Sequence, residues 1–176
     1  MADPRPFAPV KLVCGIISSG PEAPVRAERE LSVLFGAVDL RSPVLAFDAT
    51  DYYEAEMGPG LERRFLSFAE LIPPEALPDI KLRTNALEEA IRGGSGGSRR
   101  VVNLDPGYVT AAALIMATTK NFAHRVPLRG GIYAHLELLF AKAGVKVLDW
   151  TYPDLRGEGY REFFRAVRAR YLEQRA

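Results

Sequence analysis

VKLVCGIISS, residues 10–19, is the stretch on which the fold turns. It is an apolar run broken only by Lys11 and closed by Ser18, Ser19 and Gly20. A strand with one solvated face would alternate apolar and polar residues. A continuous run predicts a buried central strand.

Downstream, PVRAERELSVLFG (24–36) sets Ala27, Leu31, Leu34 and Phe35 on one helical face, with Gly36 as its C-cap. SPVLAFDAT (42–50) reads as a second strand. DATDYYEAEMGPG (48–60) is acidic and aromatic and ends in Gly-Pro-Gly, which predicts a loop or a one-turn element. RRFLSFAELI (63–72) alternates as a third strand. PPEALPDIKLRTNALEEAIRGG (73–94) is the clearest helix, with Leu77, Ile80, Thr84, Leu87 and Ile91 in one stripe. GGSGGSRR (93–100) lacks the Gly-Lys-Ser/Thr ending of a phosphate loop and leads into no helix, so it reads as a linker.

RRVVNLDPGYV (99–109) restarts the sheet. The tracts ALIMATT (113–119), NFAHRVPL (121–128), YAHLELLF (133–140) and VKVLDWTYPD (145–154) extend it. YREFFRAVRARYLEQ (160–174) is a terminal helix that packs Tyr160, Phe163, Phe164, Val167 and Tyr171. The predicted class is therefore α+β: a ferredoxin-like βαββαβ start, extended by an antiparallel β-meander and a C-terminal helix. One domain over residues 10–176 follows an N-terminal arm at 1–9.

The composition narrows the partners. With 176 residues, 48% apolar and 26% charged, the chain has the makeup of a globular domain. A net charge of +1 supplies no global field toward nucleic acid or an acidic membrane. MADPRPFAPVK does not read as a signal segment, and YVTAAALIMATT is about half of the ~20 residues that a membrane span needs. The lone Cys14 has no disulfide partner and reads as a small buried hydrophobe of a cytoplasmic protein.

Arg outnumbers Lys by 18 to 5, and the chain has only three Asn, so where those Asn fall is informative. Asn85, Asn103 and Asn121 each sit in a dense polar tract. Asp48, Asp51, Glu54 and Glu56 gather after the second predicted strand; such oxygen ligands suit a divalent cation, Mg or Mn, as well as a solvated loop. Lys81, Asn85, Glu88 and Arg92 share a helical stripe that reads either as a cleft wall or as a surface ladder. Asn103 and Asp105 point to one face of their strand, and Asp-Pro-Gly at 105–107 predicts a turn.

TTKNFAHRVPL (118–128) places Lys120, Asn121, His124 and Arg125 on a predicted hairpin strand. A two-residue turn at Gly130-Gly131 sets His124 opposite Glu137 and Val126 opposite His135. A three-residue turn at Arg129–Gly131 slips the register by one and sends His124 to the apolar face. A lone histidine on such a face is more often a satisfied core residue. Clustered cations beside an imidazole suit an anionic ligand.

FDATDYYEAEMG, IKLRTNALEE, VVNLDPGY, TTKNFAHR and LDWTYPD occur in this order across most of the chain. Together they resemble a prokaryotic family known as domain of unknown function family 4416. The resemblance implies no activity, cofactor or catalytic residue. GIYAHLEL is a departure, since relatives are expected to carry an acidic residue at His135.

These readings converge on a site for a small phosphate- or carboxylate-bearing molecule. Lys81, Asn85, Glu88, Asn103, Asp105, Asn121 and Arg125 would bind it. His124 would transfer a proton, Lys120 would join Arg125 in holding the anion, and Asp48, Asp51, Glu54 and Glu56 would hold a divalent cation. The alternative is a non-catalytic RNA-binding or assembly module; neutral charge and the lack of an aromatic-rich strand signature disfavour RNA.

Overall fold

The computed structural model describes residues 3–48, 50, 52–94 and 99–176. The chain runs through β1 (Val10–Ser18), α1 (Glu22–Phe35), β2 (Val38–Arg41), β3 (Leu45–Ala46), the one-turn α2 (Glu54–Met57), β4 (Glu62–Ile72) and α3 (Leu77–Gly94). It continues through β5 (Val102–Val109), β6 (Ala113–Thr118), β7 (Val126–Pro127), β8 (Tyr133–Ala141), β9 (Gly144–Val147) and α4 (Glu158–Arg175). Among the described residues no helix is long and apolar enough to cross a membrane.

Every residue of β1 is buried, because β1 has a strand on each side and a core on each face. Leu12, Cys14 and Ile16 pack with Ala27 and Leu31 of α1 and with Ile80 and Ile91 of α3. Val13 faces the other way and packs with Phe65 of β4 and with Tyr160, Phe164 and Val167 of α4. The period-two alternation of a strand thus serves two helical layers, which is why no polar residue alternates in the sequence. Each fully buried Leu, Ile or Phe of these cores contributes about 1.5–3 kcal/mol. Lys11, the charge in the run, is fully buried but satisfied: its Nζ donates to Asp39 Oδ2 at 2.5 Å and to Gln174 Oε1 at 2.8 Å.

The strands form one sheet in the order β2-β4-β1-β5-β6-β8-β7, with β3 beside β4 and β9 beside β8. All pairs are antiparallel. Helices on a large antiparallel sheet make the protein α+β.

Three local expectations are corrected. The second strand is VDLR at 38–41, not SPVLAFDAT; Pro43 has no N–H to give, and only Leu45–Ala46 pair again with β4. Asp105-Pro106-Gly107 makes no turn, since it lies inside β5 and pairs with Gly15, Cys14 and Val13. β5 meets β6 only from Gly107 to Val109, so Pro106 lies on a stretch with a strand on one side only. Gly107 is needed there because a Cβ would lie 2.5 Å from the Ile115 carbonyl oxygen and from Met116 Sδ.

The tract 118–128 is mostly not a strand: β6 ends at Thr118 and β7 is only Val126–Pro127. Its register, Val126 to Ala134 and Pro127 to Tyr133, is that of the three-residue turn, closed by Leu128 N–H donating to Ile132 O at 2.8 Å. The helix read over 73–94 does end at Gly94, and the linker reading of 93–100 falls largely on residues 95–98, which lie outside the described residues.

Candidate functional site

β1 runs between β4 and β5, and at one end of these strands a cavity of about 380 Å³ opens. Residues from three connections close over it: Phe47, Thr50, Tyr52 and Tyr53 between β3 and α2, Lys120 and Arg125 between β6 and β7, and Tyr152, Pro153 and Asp154 between β9 and α4. Its floor is Arg63, which is 2% exposed. Arg63 donates to Asp154 Oδ2 at 2.8 Å and to Asp105 Oδ2 at 3.1 Å. Its guanidinium also lies 4.5 Å from the Phe65 ring centroid and 5.7 Å from that of Phe47.

Gly15 makes this reach possible. It sits on β1 between Phe65 and Asp105, and a Cβ there would meet Phe65 Cε1 at 2.8 Å and Arg63 Nη2 at 3.1 Å. The missing side chain is the channel through which the guanidinium crosses β1 to Asp105. Burial pushes the Asp105 carboxyl up, but the charges of Arg63 and Lys81 outweigh it and hold the group below its ordinary value.

The wall is aromatic. Tyr53 packs against Phe47 at 5.9 Å and against Tyr52 at 4.9 Å, and Tyr152 and Pro153 face the same space. Burial, then Asp105, pushes the hydroxyls of Tyr53 and Tyr152 above their usual range, so both stay neutral donors. At the mouth are Lys120 and Arg125. Lys120 Nζ lies 3.5 Å from the Tyr52 ring centroid, and Arg125 Nη1 donates to the Lys120 carbonyl at 2.8 Å. Neither cation has a carboxylate partner among the described residues.

A second buried constellation backs the Tyr152 wall. His135 Nδ1 lies 2.9 Å from Glu137 Oε1, and both side chains are wholly buried on one face of β8. Glu137 Oε2 accepts the Tyr152 N–H at 3.0 Å, and the Tyr152 ring meets His135 edge-on at 5.3 Å. His124 closes the group, 5.8 Å from His135 and stacked on Trp150 at 5.1 Å with 9° between the planes. Burial, then Arg125 and His135, lowers the His124 pKa, which favours its neutral form. The two histidines and Glu137 thus meet, as the two-residue register would have placed them. They do so because residues 119–125 leave the sheet and fold across it.

The expected residues therefore divide. Lys120, Arg125 and Asp105 share the cavity. Lys81 and Glu88 do not line it: Lys81 Nζ donates to Leu104 O at 2.7 Å, and Glu88 Oε1 accepts Leu104 N–H at 2.7 Å. They serve the flank of β5 that β6 does not reach, so two α3 side chains take the place of a strand there. Residues of equal parity on a strand turn their N–H the same way. The missing N–H of Pro106 therefore falls on this same flank, where no strand asks for it.

Arg100 joins Glu88 to Asn103, with 2.5 Å to each. Burial raises the Glu88 pKa even beside Lys81 and Arg100. Asn85 is half-buried on α3 and Asn121 is exposed. His124 is beside the cavity without lining it. Asp48, Glu54 and Glu56 are exposed, and Asp51 lies outside the described residues. Glu56 reaches Arg100 at 3.5 Å. Among the described residues no three His, Cys, Asp or Glu side chains converge as a metal would require.

Sequence reasoning passed over Arg63, the centre of the floor. The available signal was Gly15 inside an apolar central run, since a strand glycine marks a close approach, together with a charged pair, Arg63-Arg64, directly before the apolar Phe65-Leu66 of β4.

No curated protein and no solved structure matches the chain. The family described as Domain of unknown function (DUF4416) matches residues 8–171, a span that includes every residue of the cavity. The chain belongs to that family.

Proposed function

We propose that the protein binds a small anionic molecule, phosphate- or carboxylate-bearing, in the cavity above Arg63. The observation that carries this reading is the pair of cations at the mouth: Lys120 and Arg125 face the cavity, and no carboxylate neutralises them among the described residues. Arg63 beneath them is already matched by two aspartates, so an entering anion meets positive charge at the rim. In this reading Lys81, Glu88 and Asn103 are structural, fastening α3 and Arg100 to β5.

The test is thermal unfolding with and without pyrophosphate. At a hundred times its dissociation constant a ligand adds about 2.7 kcal/mol, or roughly 5–11 °C for a chain of this size. The paired change Lys120→Gln, Arg125→Gln should abolish that rise while leaving the ligand-free melting temperature nearly unchanged, because Lys120 is exposed and Arg125 half-buried. An equal rise in the double variant would refute the reading.

Two further readings accompany this one. We read β1-α1-β2-β4-α3-β5 as a ferredoxin-like unit, supported by the strand order β2-β4-β1-β5 with α1 and α3 on one face. We read the compartment as a reducing cytoplasm, supported by the single, buried Cys14.

A further inference from the structure

We propose that the ligand is a planar aromatic or heteroaromatic ring that carries the anionic group at one end and an N–H or O–H donor at the other. The inference rests on reading the cavity as an anion site and adds the rest of the molecule to it.

The cavity has three zones of different chemistry, ordered by depth. At the mouth, the exposed Lys120 and half-buried Arg125 supply positive charge. At the floor, one guanidinium stands between two aspartates, so that zone is rich in carboxylate oxygens. Each aspartate spends one oxygen on Arg63, and a carboxylate accepts more bonds than one, so the floor retains acceptor capacity. Between the two zones, Phe47, Tyr53 and Tyr152 present aromatic surface from two separate connections.

A bare anion would satisfy the mouth and leave the aromatic walls and the acceptors without partners. A neutral ring would leave Lys120 and Arg125 uncompensated. Only a ring with an anionic tail and a donor head serves all three zones. The volume, about 380 Å³, is at the small end of ligand pockets and admits a molecule of one ring rather than a polymer segment. A pyrimidine nucleoside monophosphate and a hydroxylated aromatic carboxylate share this chemistry.

Titration calorimetry on the full chain decides it, with four probes: inorganic phosphate, uridine, uridine monophosphate and para-hydroxybenzoate. The expected result is that at least one of the two ring-bearing anions binds tenfold or more tighter than both phosphate and uridine. A preference for uridine monophosphate identifies the nucleotide source, and a preference for para-hydroxybenzoate the carboxylate source. Tyr53→Leu should remove most of the tenfold gain and leave phosphate binding unchanged. Tyr52→Leu, at a ring already 54% exposed, repeats the test of the gain without risk to the core; because that ring also lies against Lys120, its readout is the ratio of ring-compound to phosphate affinity. If phosphate binds as tightly as the better of the two ring-bearing anions, or if both tyrosine variants keep the gain, the ring is overturned and the anion site stands. If no probe binds at millimolar concentration, both readings fail.

Discussion

Arg63→Met is the substitution with the most to say about this protein. Methionine keeps much of the apolar bulk that packs near Phe65 and Phe47 and removes the charge. Asp154 and Asp105, whose side chains are only 8% and 18% exposed, then lose the cation that neutralises them. Breaking a buried pair from one side costs about 3–5 kcal/mol, which for a chain of this length lowers the melting temperature by roughly 6–20 °C.

The loss depends on pH with a definite sign. In the native protein the Asp105 carboxyl lies below the usual 3.8, so its contribution to stability is complete above that value and fades as pH falls through the folded pKa. In Arg63→Met, burial remains while the main lowering influence is gone, so the carboxyl rises and the buried charge costs stability at neutral pH. The gap between native and variant should therefore narrow on going from about pH 7 to about pH 4. Circular dichroism melts at the two pH values read this directly. The triple change Arg63→Met, Asp105→Asn, Asp154→Asn should recover most of the loss, because no buried charge is left unpaired. A single variant that melts within about 2 °C of the native protein at neutral pH, or a gap that widens on acidification, would refute the account.

Gly15→Ala should cost about 1–3 kcal/mol, since the new Cβ comes 2.8 Å from Phe65 Cε1 and 3.1 Å from Arg63 Nη2. An unchanged urea midpoint would show that the channel for Arg63 is not tight. Glu88→Ala should cost about 1.5–3 kcal/mol by depriving Leu104 N–H and Arg100 of their acceptor, and Glu88→Gln less, because the amide oxygen still accepts from Leu104. Equal midpoints for the two Glu88 variants would argue against the side-chain substitute for a strand.

The long periodic elements were legible before any coordinates. α1, α3 and α4 each bury a stripe that the 3.6-residue repeat marks out, and α4 buries all five residues that the repeat selects. The central strand was legible because two-sided burial leaves a run without alternation. The polar stripe of α3 was visible too, but its purpose was not: Lys81 and Glu88 answer to the backbone of Leu104, 23 and 16 residues away. β2 has only four residues, too few to show a period.

By itself, then, the sequence determined which segments carry apolar faces, and hence the α+β class, the central place of β1 and the helices α1, α3 and α4 that cover the sheet. It also marked Lys120, Arg125 and Asp105 as polar residues in unusual positions. Only the tertiary structure decided what these meet. Arg63 finds Asp105 42 residues on and Asp154 91 residues on, across a gap left by Gly15. The physical reason is that helix and strand periodicity report a residue's own burial. The convergence of charges depends on strand order and register, which are settled by packing between distant segments.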